Sequence, residues 1–282
     1  MALLGLGACS TASTLPPPIT SPPASPISGE HLVTADGVTQ YLDCTGSKGP
    51  TVVLLGGMDS AADDAWAKVV PELSRTNRVC EVDRAGVGRS PARTKGDNGP
   101  VTNGQEAVAA LQTAGEPGPY LFVGWSYGGL QALAAADEAI KDPAIGLAGL
   151  VLVDGTLPDE YRTIDLVGWE EAGQELDMSS MEPLAAQLNL QSRPAVVLVA
   201  GDDGYHGDAL EHLRDGASQL SKTSGDYVFG EVPKAGHFIS DEDPQAVLVA
   251  IREVATSSNT GIPMPPCPPT FPPAGIVCLD GQ

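Results

Sequence analysis

Short apolar runs, each closed by glycine or a polar cluster, alternate along the chain with longer amphipathic stretches. "HLVTADG" and "VTQYLDC" read as an opening pair of strands. "TVVLLGG" and "LAGLVLVDG" are apolar at nearly every position, as is "YLFVGW", the pattern of strands covered on both faces in a parallel sheet. "RVCEVDRAGVGRS" reads as a strand running into a glycine-rich loop, and "PAVVLVAGDDG" and "DYVFGEVP" as later strands. Between them, "AADDAWAKVVPELS", "GQEAVAALQTAG", "LQALAAADEAI", a stretch near 206–222 and "DPQAVLVAIREVA" predict helices. Repeated β–α alternation predicts an α/β fold with a mostly parallel central sheet and helices on both faces. One interval, from Gly155 to Pro194, shows helix-like patches and no strand.

With 282 residues the chain can bury one large α/β core. The organisation read from it is a spacer over 1–28, a main domain over 29–257 with an insertion at about 155–193, and a proline-rich tail over 258–282. The formal charge of −21, from 36 acidic against 15 basic residues, excludes binding to nucleic acid or to an anionic membrane surface by charge. No apolar run is long enough to predict a membrane-spanning helix.

The first residues, "MALLGLGAC", resemble the end of a bacterial lipoprotein signal, with Leu6, Gly7, Ala8 and Cys9 as the processing box. Cleavage there would leave Cys9 lipidated. The segment "STASTLPPPITSPPASPIS" that follows suits a surface tether. The expectation is an exported protein, lipid-anchored at the cell envelope, touching the membrane only through Cys9. The other four cysteines match no zinc spacing, and an even number suits an oxidising compartment. A local disulfide between Cys267 and Cys278 is the economical reading of the tail, which leaves Cys44 to pair with Cys80.

Chemistry concentrates at "GWSYG", residues 124–128. Ser126 has glycine two positions before and two after it, between a predicted strand and a predicted helix, the order required of a nucleophile elbow. Such a turn lifts the hydroxyl above the sheet and aims the next backbone N–H at the same spot. "AGVGRS" begins like a dinucleotide loop but has Pro91 where the third glycine should stand, and neither a phosphate-binding loop nor a His-Glu-x-x-His pattern occurs. No cofactor is implied.

In order along the chain, "PTVVLLGG", Trp66 in the next helix, "RVCEVDRAGVGRS", "VGWSYGGLQAL", "GLVLVD" and "AGHFISDEDPQAV" make the sequence similar to the α/β-hydrolase family, in particular its bacterial esterase-like members. The resemblance covers about residues 31–256 and implies a catalytic triad in the order serine, acid, histidine. It also implies that the second and fourth strands are neighbours, which favours the Cys44–Cys80 pairing. A serine nucleophile needs a base and an acid to orient that base. His31 lies on the wrong side of Ser126 for this order, and His206 and His212 fall on a polar predicted helix, leaving His237 as the base. For the acid, Asp154 after "LVLV" stands beside Asp202 and Asp203 as alternatives, the last two being out of register for the position many relatives use. The implied oxyanion hole has the N–H groups of Tyr127 and Met58 as donors, with Gly56 and Gly57 in place of the family's usual His-Gly pair.

The resulting expectation is a serine hydrolase that cleaves a carboxylic ester, or less favourably an amide, of a small neutral substrate. The competing reading is a catalytically inactive protein of the same fold that binds a ligand or a cell-wall component. The 155–193 interval, with Leu157, Tyr161, Ile164, Leu166, Val167, Trp169, Leu176, Met178, Met181, Leu184 and Leu188, is too apolar for a solvated loop and is expected to form a cap. Its acids, Asp159, Glu160, Asp165, Glu170, Glu171, Glu175, Asp177 and Glu182, are expected to form a negative rim.

Overall fold

A computed structural model describes residues 16–23, 25–94, 96–157, 169–202 and 220–279. Cys9, His206, His212 and Asp203 lie outside these residues, as do Tyr161, Ile164, Leu166, Val167 and the acids at 159, 160 and 165. The first hairpin is β1 (Gly29–Ala35) and β2 (Val38–Thr45). The alternation proper begins with β3 (Thr51–Leu55), α1 (Ala62–Trp66), α2 (Val70–Leu73) and β4 (Arg78–Asp83). It continues with α3 (Pro100–Thr113), β5 (Tyr120–Trp125), α4 (Tyr127–Lys141) and β6 (Leu147–Val153). Later come β7 (Glu170–Glu171), β8 (Gln174–Glu175), α5 (Met181–Gln187), β9 (Ala195–Ala200) and β10 (Tyr227–Val232). A C-terminal helix, Pro244–Thr260, and β11 (Val277–Cys278) close the chain.

Nine strands form one sheet in the order β1-β2-β4-β3-β5-β6-β9-β10-β11. From β4 to β10 every neighbouring pair is parallel; β1, β2 and β11 are added antiparallel at the margins. Side chains of a strand alternate between faces. Val53, Leu55, Phe122, Leu150 and Leu152 therefore enter one core with α3 and α4, while Val52, Leu54, Leu121, Val123 and Val151 enter another with Trp66, Leu73 and the C-terminal helix. This two-sided burial is why the strands read as unbroken apolar runs. Removing each large aliphatic side chain from water contributes about 1.5–3 kcal/mol. On the first face α3 and α4 approach closely at Gly104, where an added Cβ would stand 2.7 Å from both the Ala134 Cβ and the Gln131 carbonyl.

Two expectations need correction. The single helix expected over "AADDAWAKVVPELS" is broken into α1 and α2, because Pro71 has no N–H to continue the ladder and instead sits in the first turn of α2. The 155–193 interval does contain strands. β7 and β8 form a minimal hairpin whose central residues, Ala172 and Gly173, have φ of 52° and 73°, the left-handed conformation a type I′ turn requires. In the tail, β11 extends the sheet beside β10, and Phe271 and Ile276 are buried in the second core. Ile19 exchanges two backbone hydrogen bonds with β1, at 2.8 and 2.7 Å, covering part of an edge that would otherwise offer unpaired groups to another chain.

Cys44 and Cys80 are direct partners across β2 and β4 and are disulfide-bonded, and Cys267 is bonded to Cys278 of β11. Both bonds are consistent with an exported protein. Among the described residues no helix is long and apolar enough to cross a membrane.

Candidate active site

The parallel strands end on a common side, and three of those ends build the site. β5 ends at Trp125, and the chain reverses into α4 through Ser126, which has φ 53° and ψ −127°. A non-glycine residue held there stores on the order of 1–3 kcal/mol of backbone strain. The turn closes because its flanks lack side chains. An added Cβ would lie 2.1 Å from the Gly128 carbonyl oxygen at position 124, and 2.6 and 2.7 Å from the Leu55 and Gly56 oxygens at position 128. The carbonyl of Ser126 accepts the N–H groups of Gly129 at 2.8 Å and Thr156 at 3.0 Å, fixing the turn to the segment after β6.

Asp154 follows β6 immediately, also at positive φ (43°), with its side chain 2% exposed. Its Oδ1 accepts the N–H of Ala200 at 2.8 Å, so the end of β9 holds the carboxylate in place. Its Oδ2 lies 2.5 Å from Nδ1 of His237, in the loop after β10. Nε2 of the same imidazole lies 3.0 Å from Oγ of Ser126. The ring is held from the other side by Trp125, whose Nε1 donates to the His237 carbonyl at 2.7 Å and whose indole centroid is 5.3 Å from the imidazole. The structure thus brings Ser126, His237 and Asp154 together. It does not bring Asp202, which is exposed and donates its N–H to the Ala235 carbonyl. His31 remains in β1, near the Ser28 carbonyl.

The loop after β3 passes close in front of Ser126: an added Cβ at Gly57 would stand 2.7 Å from the Trp125 ring and 3.2 Å from the Ser126 Cβ. Met58 is half-buried and packs against a small apolar cluster of Tyr127, Leu130, Ala134, Leu176, Met178, Met181 and Leu184. Within the interval, the stretch from Leu176 to Leu184 therefore lies over the first half of α4, whereas Leu157, Leu188 and Leu190 enter the first core. Tyr127 begins α4, so its N–H is one of the four helix donors with no acceptor in the helix itself.

Arg84 carries no expectation from the sequence, and Glu171 is not on the rim expected of it. Arg84 follows β4 and is 2% exposed; Glu171 is 1% exposed, buried beneath the hairpin instead of standing on a charged rim. The Arg84 guanidinium binds Glu171 through both Nε and Nη2, and it donates to the carbonyls of Gly56 at 3.0 Å and Gly57 at 2.6 Å. Its Cζ sits 4.8 Å from the Tyr127 ring centroid. The remaining described acids of the interval, Glu170, Glu175, Asp177 and Glu182, are exposed as expected. Two signals were present: an arginine directly after a buried strand, and a glutamate beside a turn-forming Ala-Gly pair. Burial raises the pKa of the Tyr127 hydroxyl, which accepts a hydrogen bond from Asn103 at 3.0 Å and stays protonated.

Among the described residues, the cluster of metal-ligand type is Cys44, Cys80 and Glu116. Its sulfurs are joined in the disulfide and Glu116 is bound through both oxygens by Arg78, which leaves no free ligand set.

Residues 50–171 match a family model described as alpha/beta hydrolase fold. The sequence is 29% identical over 189 residues to a protein named thioesterase from Fusarium pseudograminearum (strain CS3096), an alignment spanning 59% of this chain and 76% of the relative. Among solved structures, a thermophilic esterase from Thermogutta terrifontis superposes with a TM-score of 0.63 at 21% identity, covering 82% of this chain and 99% of that one. An alpha/beta hydrolase fold protein from Burkholderia ambifaria superposes at 0.58 with 18% identity, over 79% and 98% of the two chains. Sheet order, the strained turn at the end of β5 and these matches agree, and the chain has the α/β-hydrolase fold.

Proposed function

We propose that the protein is a serine hydrolase that cleaves a carboxylic ester through an acyl-enzyme on Ser126. The observation that carries this reading is the relay of Ser126 Oγ, His237 and Asp154 at 3.0 and 2.5 Å. In the first half-reaction Nε2 of His237 takes the hydroxyl proton as Oγ attacks the substrate carbonyl, and Asp154 holds Nδ1–H and stabilises the imidazolium that forms. The oxyanion is held by the N–H groups of Tyr127 and Met58, each donor worth about 3 kcal/mol in the transition state. Collapse expels the alcohol, which leaves with the proton from Nε2. Water then repeats the sequence on the acyl-enzyme and frees the acid.

Resemblance to a protein named thioesterase and to a solved esterase supports acyl transfer and adds thioesters to the substrates to try. The acid in register favours catalysis over the ligand-binding alternative. We extend the reading to a neutral small-molecule substrate, from the exposed acids above α4, and to an envelope protein anchored through Cys9. The test is labelling by a fluorophosphonate probe together with a panel of p-nitrophenyl esters of rising chain length. Labelling of wild-type protein but not of Ser126→Ala is expected; folded wild-type protein that neither labels nor hydrolyses any ester would return the ligand-binding alternative.

A further inference from the structure

We propose that Arg84 and Glu171 are positioning residues for the oxyanion hole, setting the direction of the Met58 N–H from behind the loop. The inference rests on the acyl-transfer reading above. A trans peptide unit is planar, so its C=O and N–H point in opposite directions. Arg84 draws the Gly57 carbonyl toward itself at 2.6 Å, and the N–H of the same peptide unit, which belongs to Met58, must then face away from Arg84. The preceding peptide is fixed in the same way through the Gly56 carbonyl at 3.0 Å. Two adjacent peptide planes held by one rigid guanidinium leave the loop little freedom to turn. Glycine at 56 and 57 leaves the loop without side chains to hold it, so an external clamp has a task to perform.

The same guanidinium lies against the Tyr127 ring, and Tyr127 carries the other expected donor. Arg84 thus contacts the peptide unit that carries one expected donor and the side chain of the residue that carries the other. Glu171 holds the arginine in this pose through two hydrogen bonds and accepts the N–H of Asp59, one residue beyond Met58, at 2.7 Å. Its backbone carbonyl accepts from Asn98 at 3.4 Å, and Asn98 is linked through Asn103 to the Tyr127 hydroxyl. The carboxylate neutralises a cation that would otherwise be buried alone. Lysine could supply the charge at position 84 but not a planar fork that serves two carbonyls and a carboxylate together.

The experiment compares wild type with Arg84→Lys and Glu171→Gln, each corrected for the fraction of active sites titrated by the fluorophosphonate. Three quantities are read: kcat, KM, and Ki for an alkyl trifluoromethyl ketone, whose serine adduct places an oxyanion in the hole. Expected are a fall in kcat of about 10- to 100-fold per titrated site, a KM within about 2-fold of wild type, and a Ki weakened in proportion to kcat/KM. A variant that is merely less stable loses titrated sites without changing the behaviour of those remaining. Unchanged kcat and Ki per site in Glu171→Gln, which keeps the shape of the side chain, would overturn the proposal even if Arg84→Lys fails to fold. Failure of wild-type protein to label removes the acyl-transfer reading itself, an outcome distinct from normal kinetics in the variants.

Discussion

Asp154 grips His237 from a strand end, and a second strand end grips Asp154. Its two carboxylate oxygens divide between Nδ1 of His237 at 2.5 Å and the N–H of Ala200 at 2.8 Å. The Asp154 side chain is buried, so loss of its charge leaves the imidazolium unstabilised and the ring free to take the wrong tautomer. Ser126→Ala and His237→Ala are expected to remain folded and to lose ester hydrolysis by about 10³-fold or more. Asp154→Asn is expected to fall by at least about 10²-fold, and Asp202→Asn to stay within about 2-fold of wild type. Initial rates on one p-nitrophenyl ester rank the four variants, and a larger loss in Asp202→Asn than in Asp154→Asn would contradict the assignment.

Most of this arrangement was legible in the chain because it depends on local order. A strand, GWSYG and a helix specify the turn at Ser126 wherever the remainder goes, and continuous apolar runs report strands covered on both faces. The acid was not legible to the same degree. Asp154 and Asp202 each follow a strand, and only the packing of β6 against β9 decides which carboxylate reaches His237. Arg84 and Glu171 are harder still, since they are 87 residues apart in sequence and meet only once the hairpin folds over the loop after β3. Pro71, by contrast, was a visible break whose effect the apolar spacing around it masked.

Glu81, on β4, makes stability depend on pH. Burial, with the Asp43, Asp63 and Asp83 carboxylates nearby and Arg89 opposing them, pushes its pKa up to about 8. An unfolded glutamate titrates near 4.5. Between these values the folded chain keeps a proton that the unfolded chain has released, so stability falls as pH rises through the window. Below it both states are protonated and the effect vanishes. Glu81→Gln should therefore gain about 1–3 kcal/mol at pH 8.5 and almost nothing at pH 4. Urea melts of both proteins at the two pH values check this; an equal change at both would locate the effect in packing.

The two disulfides should separate under mild reduction. Cys44 and Cys80 are fully buried, whereas Cys267 is exposed and Cys278 half-buried. Thiol labelling during titration with dithiothreitol is expected to open the tail bond first in native protein. The sequence separations of 36 and 11 correspond to loop-entropy contributions of about 4 and about 3 kcal/mol. Cys44→Ala with Cys80→Ala should accordingly lower stability more than the matching tail pair.

Charge on the substrate gives a fourth test. With Glu170, Glu175, Asp177 and Glu182 exposed in the segment over α4, a neutral ester should react with higher kcat/KM than a matched ester bearing a carboxylate. The gap should narrow as added salt shortens the screening length. Equal rates at low ionic strength would remove these acids from the approach to Ser126.

The hydrogen bonds that seat Ile19 on β1 would set the reach of any anchor placed at Cys9. Were Cys9 held in a lipid bilayer, ten steps along the sequence would separate that residue from Ile19. Fully stretched, ten residues reach about 33–36 Å, no more than the width of a small domain. Such a catalyst would graze the membrane that carries it, within reach of molecules leaving that surface and out of reach of those dispersed farther off.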